Sequence, residues 1–303
     1  MDEHHVLAAK HRVLELRARL LQCIRMHLSE QGFLEVETPL RIPAPAPEEH
    51  IEAFPSDGWF LQTSPELCMK RLLSAGYRRI FQICRCFRAG ERGALHLPEF
   101  TMLEWYVADA DYLTLMEQCQ NLLISILQKM GCGLQIRYQD KTINLAPPWK
   151  KMTVADAFAR YASADCIEAA ATDHFEEILT EKIEPHLSEK HPVFLYDYPA
   201  KFGALARLKK DHPAFAERFE LYIGGLEIAN GFSELTCAEE QRSRFMKTLQ
   251  RQTAKQSITY PLPEKFLLSL DKMPPSAGIA LGIDRLMMLL ADTRRIDDVV
   301  AFT

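Results

Sequence analysis

Several charged residues in this 303-residue chain sit among glycines and aromatics in an order that packing alone does not explain. Successive strand residues point to opposite faces of a sheet, so parity sorts the candidates. Between Glu99 and Val107, the residues Phe100, Met102, Glu104 and Tyr106 share one face, and Arg88 closes the strand before it. A ring, a carboxylate, a phenol and a guanidinium on one sheet surface suit a site that stacks a base, receives an ammonium group and clamps a phosphate. Near the C-terminus, Gly278, Ala280 and Gly282 line one face while Ile279, Leu281 and Ile283 line the other. Removing side chains from one face lets a ligand approach the backbone. Arg285 follows at a helix start, where a guanidinium can meet a phosphate. Glu220, Glu227 and Glu234 recur every seven residues, interrupted by Gly224-Gly225 and Asn230-Gly231. Carboxylates beside phosphate need a cation, and oxygen donors suit Mg²⁺. Glu234 shares parity with Asn230 and Phe232, whereas Glu227 does not, so the strand must bulge or twist near Asn230-Gly231 for both to face one site. Glu66 and His96 have bland alternatives, a helix-dipole partner and a surface histidine.

These residues need elements to hold them. Val13, Leu16, Leu20, Ile24 and Leu28 predict an amphipathic helix ending near Gly32. Phe33 to Thr38 alternates and stops at Pro39, the pattern of a strand. Pro43-Ala44-Pro45-Ala46-Pro47 is a stiff loop. After a short strand over Phe60 to Thr63, Ser64 as N-cap, Pro65 at the first helical position and Glu66 behind it open a helix to about Leu73, closed by Gly76. Strands over Ile80 to Arg88 and Glu99 to Val107 flank a loop containing Gly90 and Gly93, and Tyr112 to Met130 is helical. Residues 131–195 alternate short strands and helices without a legible motif. Two strands follow around Gly224-Gly225, then a polar helix from about Ala238, then a strand over Ala277 to Ile283 that leads into a helix at Asp284. Hairpins flanked by helices predict an α+β domain with a mainly antiparallel sheet, one domain across residues 1–303.

With 48% hydrophobic and 25% charged residues the chain can build a sizeable core. No apolar run is long enough to span a membrane, and Met1 to His5 carries neither part of a secretory signal. Eight cysteines without a C-x-x-C pair read as reduced thiols of a cytoplasmic protein. A net charge of −5 lends no support to a dedicated nucleic-acid binder.

Three segments together resemble a family. Gly32-Phe33-Leu34-Glu35-Val36-Glu37-Thr38-Pro39 resembles motif 1 of class II aminoacyl-tRNA synthetases. The stretch from Phe81 through Arg88 and His96-Leu97-Pro98-Glu99-Phe100 to Tyr106 resembles motif 2, and Ala277 to Ala291 resembles motif 3. The segments Ser64-Pro65-Glu66-Leu67, Pro98 to Glu104 and Asn230 to Leu235 are similar to the lysyl branch. That branch places an anticodon-binding barrel before motif 1. The stretch before Gly32 is too short for one, so a catalytic domain without anticodon recognition is expected, as in the elongation factor P β-lysine ligases. Ala280, where lysyl synthetases have glycine, points the same way: its methyl group should favour a substrate whose amine sits one carbon further along.

The resemblance implies ATP and Mg²⁺ as co-substrate and cofactor. It implies Arg88 and Arg285 as catalytic phosphate holders, with Ala89, Gly90, His96, Phe100, Glu220, Leu221 and Gly282 around ATP. Glu220 and Glu227 would hold the metal. Ser64, Pro65, Glu66, Glu104, Tyr106, Glu227, Asn230, Phe232, Glu234 and Ala280 would surround a lysine-like amino acid. It also implies elongation factor P as acceptor and a homodimer built on Phe33 to Pro39. Motif 2 departs from the lysyl pattern at Ala89-Gly90 and at Leu97, which puts side-chain contacts to adenine in doubt. Two alternatives stand: a truncated lysyl-tRNA synthetase using α-lysine, and an inactive paralogue acting as a regulator, against which the retained Arg88 and Arg285 argue.

Overall fold

The computed structural model describes residues 3–188, 190–255 and 260–303. Met1 and Asp2, the start of the segment read for a secretory signal, lie outside them. One eight-stranded sheet dominates: β1 (Leu34–Glu35), β2 (Arg79–Phe87), β3 (Glu99–Ala108), β4 (Lys150–Thr153), β5 (Val193–Pro199), β6 (Phe215–Ile223), β7 (Leu226–Ser233) and β8 (Ser276–Gly282). Their order is β1-β2-β3-β8-β7-β6-β5-β4. Neighbours from β2 through β5 are antiparallel, and β1 and β4 join the two edges in parallel. This is the expected α+β arrangement. The hairpin β6–β7 turns at Gly224 and Gly225, whose φ values of 63° and 82° are the left-handed pair that a tight two-residue turn demands. The C-terminal strand β8 inserts between the β2–β3 and β6–β7 hairpins, which brings the three motif-bearing regions side by side.

Alternation divides the sheet into two faces. Phe81, Leu103, Trp105, Phe219, Leu221, Ile279 and Leu281 face one side and form the main core with α1 (His11–Glu30), α3 (Tyr112–Met130) and α5 (Ile283–Ala291). Helix α3 has the expected boundaries because both ends are capped. The Asp111 carboxylate accepts from Thr114 N at 2.9 Å, and Gly131 turns left-handed with φ 71°. Arg17 of α1 pairs with Asp284 at 2.6 Å, and Asp284 accepts from Thr101 N at 2.7 Å, so one buried carboxylate ties α1, β3 and α5 together.

Helices α2 (Glu66–Ser74) and α4 (Ala238–Lys255) flank the other face, with the short helix Glu264–Leu270. They pack over Ile80 and Tyr106 at one end and leave the middle open. The stretch without a legible motif builds its own small core, Val154, Phe158, Phe175, Ile183 and Tyr222 among its members, against the β4–β5 edge.

Two expectations change. The strand read over Phe33 to Thr38 shrinks to Leu34–Glu35, paired only with Ile80 and Phe81. Phe33 turns into the core while Leu34 and Leu40 stay 51% and 43% exposed. Ser64 does more than cap α2, which begins at Glu66 rather than Pro65: it accepts from Glu66 N at 3.0 Å as a cap does and also donates to Glu104 Oε1 at 2.6 Å, so the hydroxyl belongs to the cavity wall as well. All eight cysteines are unpaired. Among the described residues no helix is long and apolar enough to cross a membrane.

Candidate active site

A row of directly opposed residues crosses the open face: Gln82 on β2, Glu104 on β3, Ala280 on β8, Asn230 on β7 and Glu220 on β6. The next row holds Tyr106, Gly278, Phe232 and Arg218. The bulge demanded by parity exists. Leu221 pairs with Ala229 but Tyr222 pairs with Glu227, so Ile228 is the extra residue, slightly nearer the hairpin than Asn230-Gly231. The slip puts Glu227 on the same face as Asn230 and Phe232. Above these rows lies a cavity of about 730 Å³, lined by most of the expected site residues.

One end of this cavity is acidic, lined by Glu66, Glu104 and Tyr106, with Lys70 and Glu234 buried behind that wall. Lys70 of α2 is 1% exposed and sits 2.5 Å from both Glu66 Oε1 and Glu234 Oε2. Its ammonium also lies 5.0 Å from the centre of the Phe232 ring. Burial opposes that charge, yet Glu234 and Glu66 outweigh it and raise the lysine pKa. Glu104 accepts from Ser64 on one oxygen and from Tyr106 Oη at 2.7 Å on the other. Burial, reinforced by Glu66, pushes Glu104 up to about 7, and burial likewise pushes Glu234 up to about 8 despite Lys70. Glu234 Oε1 is buried without a hydrogen-bond partner. Such an orphaned acceptor beside too many carboxylates is what a cationic ligand would satisfy.

Sequence reasoning missed Lys70. Its signal was present, since it falls three residues from both Leu67 and Leu73 on the buried stripe of α2 and four after Glu66. Gly278 also changes meaning. A Cβ there would overlap the Tyr106 ring and lie 2.5 Å from Glu234 Oε1, so its bareness makes room for site side chains. Gly282 is the truly open position, where a Cβ would meet only Arg285 atoms near 3.9 Å.

The other end carries the phosphate-type groups. Arg285 Nη1 donates to the Glu227 carbonyl at 3.0 Å and to its carboxylate at 3.1 Å, and Nη2 meets His96 Nε2 at 2.6 Å. Burial and then the neighbouring Arg285 charge lower the His96 pKa, so a neutral imidazole accepts this bond. Arg88 lies 5.0 Å over the Phe100 ring, and its buried Nε has no partner. That unfilled donor, with the open space at Gly282, fits a nucleotide phosphate. Ala89 N is already bonded to Glu52 O at 2.8 Å, and Gly90 takes a left-handed φ of 77°.

The structure places a few expected site residues off the cavity wall. Leu221 is fully buried in the core, so only its main chain can serve a nucleotide. Pro65 contributes the entry to α2. Glu220 stands behind the wall, accepting from Tyr198 at 2.6 Å and Tyr222 at 2.7 Å and pairing with Arg218 at 2.5 Å. Its pKa is raised by burial, with Glu227 adding repulsion. Glu227 offers an oxygen donor of the kind Mg²⁺ takes, whereas Glu220 would have to exchange Arg218 or its tyrosines for the ion. Among the described residues no three metal-ligating side chains converge, so phosphate oxygens would have to complete the shell.

Comparison with known proteins gives the same direction. The family model "tRNA synthetases class II (D, K and N)" matches residues 5–303. The elongation factor P–(R)-β-lysine ligases of Pectobacterium carotovorum and Edwardsiella ictaluri are each 37% identical, over 95% of this chain and 93% of their own length. The lysine–tRNA ligase of Thermoanaerobacter sp. is 35% identical over 94% of this chain, which spans only 62% of that relative. The chain belongs to the class II tRNA synthetases of the D, K and N group and is a ligase.

Proposed function

We propose that this protein uses ATP to activate (R)-β-lysine as an acyl-adenylate and passes it to a lysine side chain of elongation factor P in the cytoplasm. The reading rests on one observation above all: a buried acidic pocket with an orphaned acceptor, laid end to end with an arginine-rich phosphate site. A lysine-like molecule has the matching polarity, ammonium at one end and reacting carboxylate at the other. The nearly full-length similarity to two elongation factor P–(R)-β-lysine ligases supports the acceptor.

In the first step the substrate carboxylate attacks the α-phosphorus of ATP in line and the bond to pyrophosphate breaks. In the second, an unprotonated lysine amine attacks the acyl carbonyl and AMP departs with the bonding pair. Both depend on positioning and charge stabilisation, so no covalent nucleophile is needed. Arg88 holds the α-phosphate through the Nε and guanidinium edge now free. Arg285 and His96 receive the outer phosphates, and Arg285 exchanges Glu227 for them. Phe100 stacks on adenine, and the Ala89 carbonyl and Gly90 backbone are left for the base edge. Mg²⁺, held by Glu227 with Glu220, would offset charge on the phosphates.

Glu104, Tyr106 and Glu234 take the terminal ammonium, with Glu66 beside them and Asn230 and Phe232 on the wall. Ala280 lies directly between Glu104 and Asn230 in the sheet, so its methyl crowds the substrate backbone and favours the β-amine. We further propose a homodimer across the β1 edge, supported by the exposed Leu34 and Leu40. ATP–pyrophosphate exchange with β- and α-lysine side by side, followed by intact-mass analysis of elongation factor P, tests the reading. Exchange with β-lysine and mass gain on the acceptor are expected. Preference for α-lysine would replace it with a lysyl-tRNA synthetase activity.

A further inference from the structure

The proline-rich loop after Ile42 has had no role so far, yet it forms part of the cavity wall. Pro45, Ala46 and Pro47 are buried, and the chain then presents Glu48 to the cavity. The loop is pinned on both sides. Gln252 of α4 donates to Glu48 O at 2.5 Å, and Glu52 O accepts from Ala89 N of motif 2 at 2.8 Å. Arg251 of α4 pairs with Glu49 at 3.1 Å. A stiff, doubly anchored segment thus carries a carboxylate into the site, and that carboxylate has no ion-pair partner among the described residues.

Glu48 lines the same cavity as Glu66, Arg88 and Arg218. Glu66 acts on it most strongly among charged neighbours, followed by Arg88, Arg218 and Lys70. Glu66 also acts on Glu104 and Glu234 at the deep end. Glu66 is thus a charged neighbour common to Glu48, Glu104 and Glu234, and Glu48 shares the cavity wall with Glu66, Arg88 and Arg218. Burial, then Glu66, pushes the Glu48 pKa up to about 7.

We propose that Glu48 is a specificity-determining residue that, with Glu66, receives the ammonium group nearest the reacting carboxyl of the amino acid. The inference rests on the lysine-like reading of the substrate and deepens it. A reacting carboxyl held beside Arg88 carries its own amine one or two carbons away; Glu48 and Glu66 line the same cavity as Arg88, and Glu91 is already paired with that arginine at 3.8 Å. Glu66 already shares Lys70 with Glu234, so Glu48 is the uncommitted partner.

The test is ATP–pyrophosphate exchange by the full-length protein with (R)-β-lysine, L-α-lysine and 6-aminohexanoic acid, which keeps the terminal amine and lacks the second. Glu48→Gln should raise KM for β-lysine about 10- to 100-fold, the worth of one charge-assisted hydrogen bond. The loss with 6-aminohexanoic acid should be at least tenfold smaller, KM for ATP should hold within twofold, and Glu48→Asp should restore part of the loss. Equal losses with the diamino and monoamino substrates would overturn the assignment and make Glu48 a structural loop residue. Unchanged KM for β-lysine would overturn it too. Exchange by the wild-type protein with none of the three would overturn the lysine reading itself, and this role with it.

Discussion

At its deep end the cavity buries Lys70 between Glu66 and Glu234 with almost no water access, whereas at its other end Arg285 rests against Glu227 and His96 with its side chain 21% exposed. The deep end is fixed by desolvated contacts that cannot be traded for water. The phosphate end is held by part-exposed pairs that a polyanion can replace at little cost. The first region presents a fixed arrangement of charge, and the second a set of self-paired groups. The deep carboxylates are raised first by burial, which the single buried lysine does not offset.

Breaking the mouth should hurt chemistry most. Arg88→Ala removes the donor at the reacting phosphorus and should lower kcat for exchange about 100- to 1000-fold, with the melting temperature little changed. Steady-state exchange and a thermal melt on the same sample separate the two. Breaking the deep end should instead cost stability. Lys70→Met leaves Glu66 and Glu234 without their cation and should destabilise the fold by about 3–5 kcal/mol, read by urea denaturation. If Lys70→Met unfolds no more easily than Arg88→Ala, the contrast between the two ends is wrong.

A smaller effect sharpens the comparison at the boundary between them. Ala280→Gly removes the methyl from the row between Glu104 and Asn230 and should shift the ratio of kcat/KM for β-lysine over α-lysine about tenfold toward α-lysine. The smallest is a pH effect. Glu104 at about 7 and Glu234 at about 8 lie above the ordinary carboxylate range, so the free protein retains protons that a bound ammonium group expels. KM for the amino acid should fall as pH rises from 6 through 8. The same raised pKa values mean that the stability these groups contribute is full below the ordinary carboxylate pKa and is lost as pH rises through 7 to 8. The melting temperature of the wild type relative to Glu104→Gln should therefore fall across that window.

Much of this molecule was legible in one dimension. Parity along Glu99–Ala108 and Ser276–Gly282 assigned Glu104, Tyr106 and Ala280 to one face because a strand permits no other alternation. The conflict between Glu227 and Glu234 even announced a bulge, found at Ile228. Helix α3 was bounded correctly since its caps are local. Other features escaped because they depend on what approaches from elsewhere. Leu221 seemed a nucleotide residue until the helices α1, α3 and α5 claimed its face. Glu220 is drawn back by Tyr198 and Tyr222, partners from its own hairpin region and from across β5. Phe33 to Thr38 had the pattern of a strand, yet a ladder forms only where a neighbour offers free backbone groups, and β2 offers them to Leu34–Glu35.

The sequence by itself determined the sheet faces that carry the candidate site residues and the caps, which follow from spacing along one chain, and its motifs resembled the family that the comparisons show. Only the tertiary structure decided how the charges are shared: that Lys70 is divided between two of the deep carboxylates, that Gly278 shelters Tyr106 where Gly282 stays open, and that Glu48 arrives from a distant loop. The reason is physical. Backbone geometry repeats with the sequence, while the energy of a buried charge depends on every group within several ångströms, whichever part of the chain supplies it.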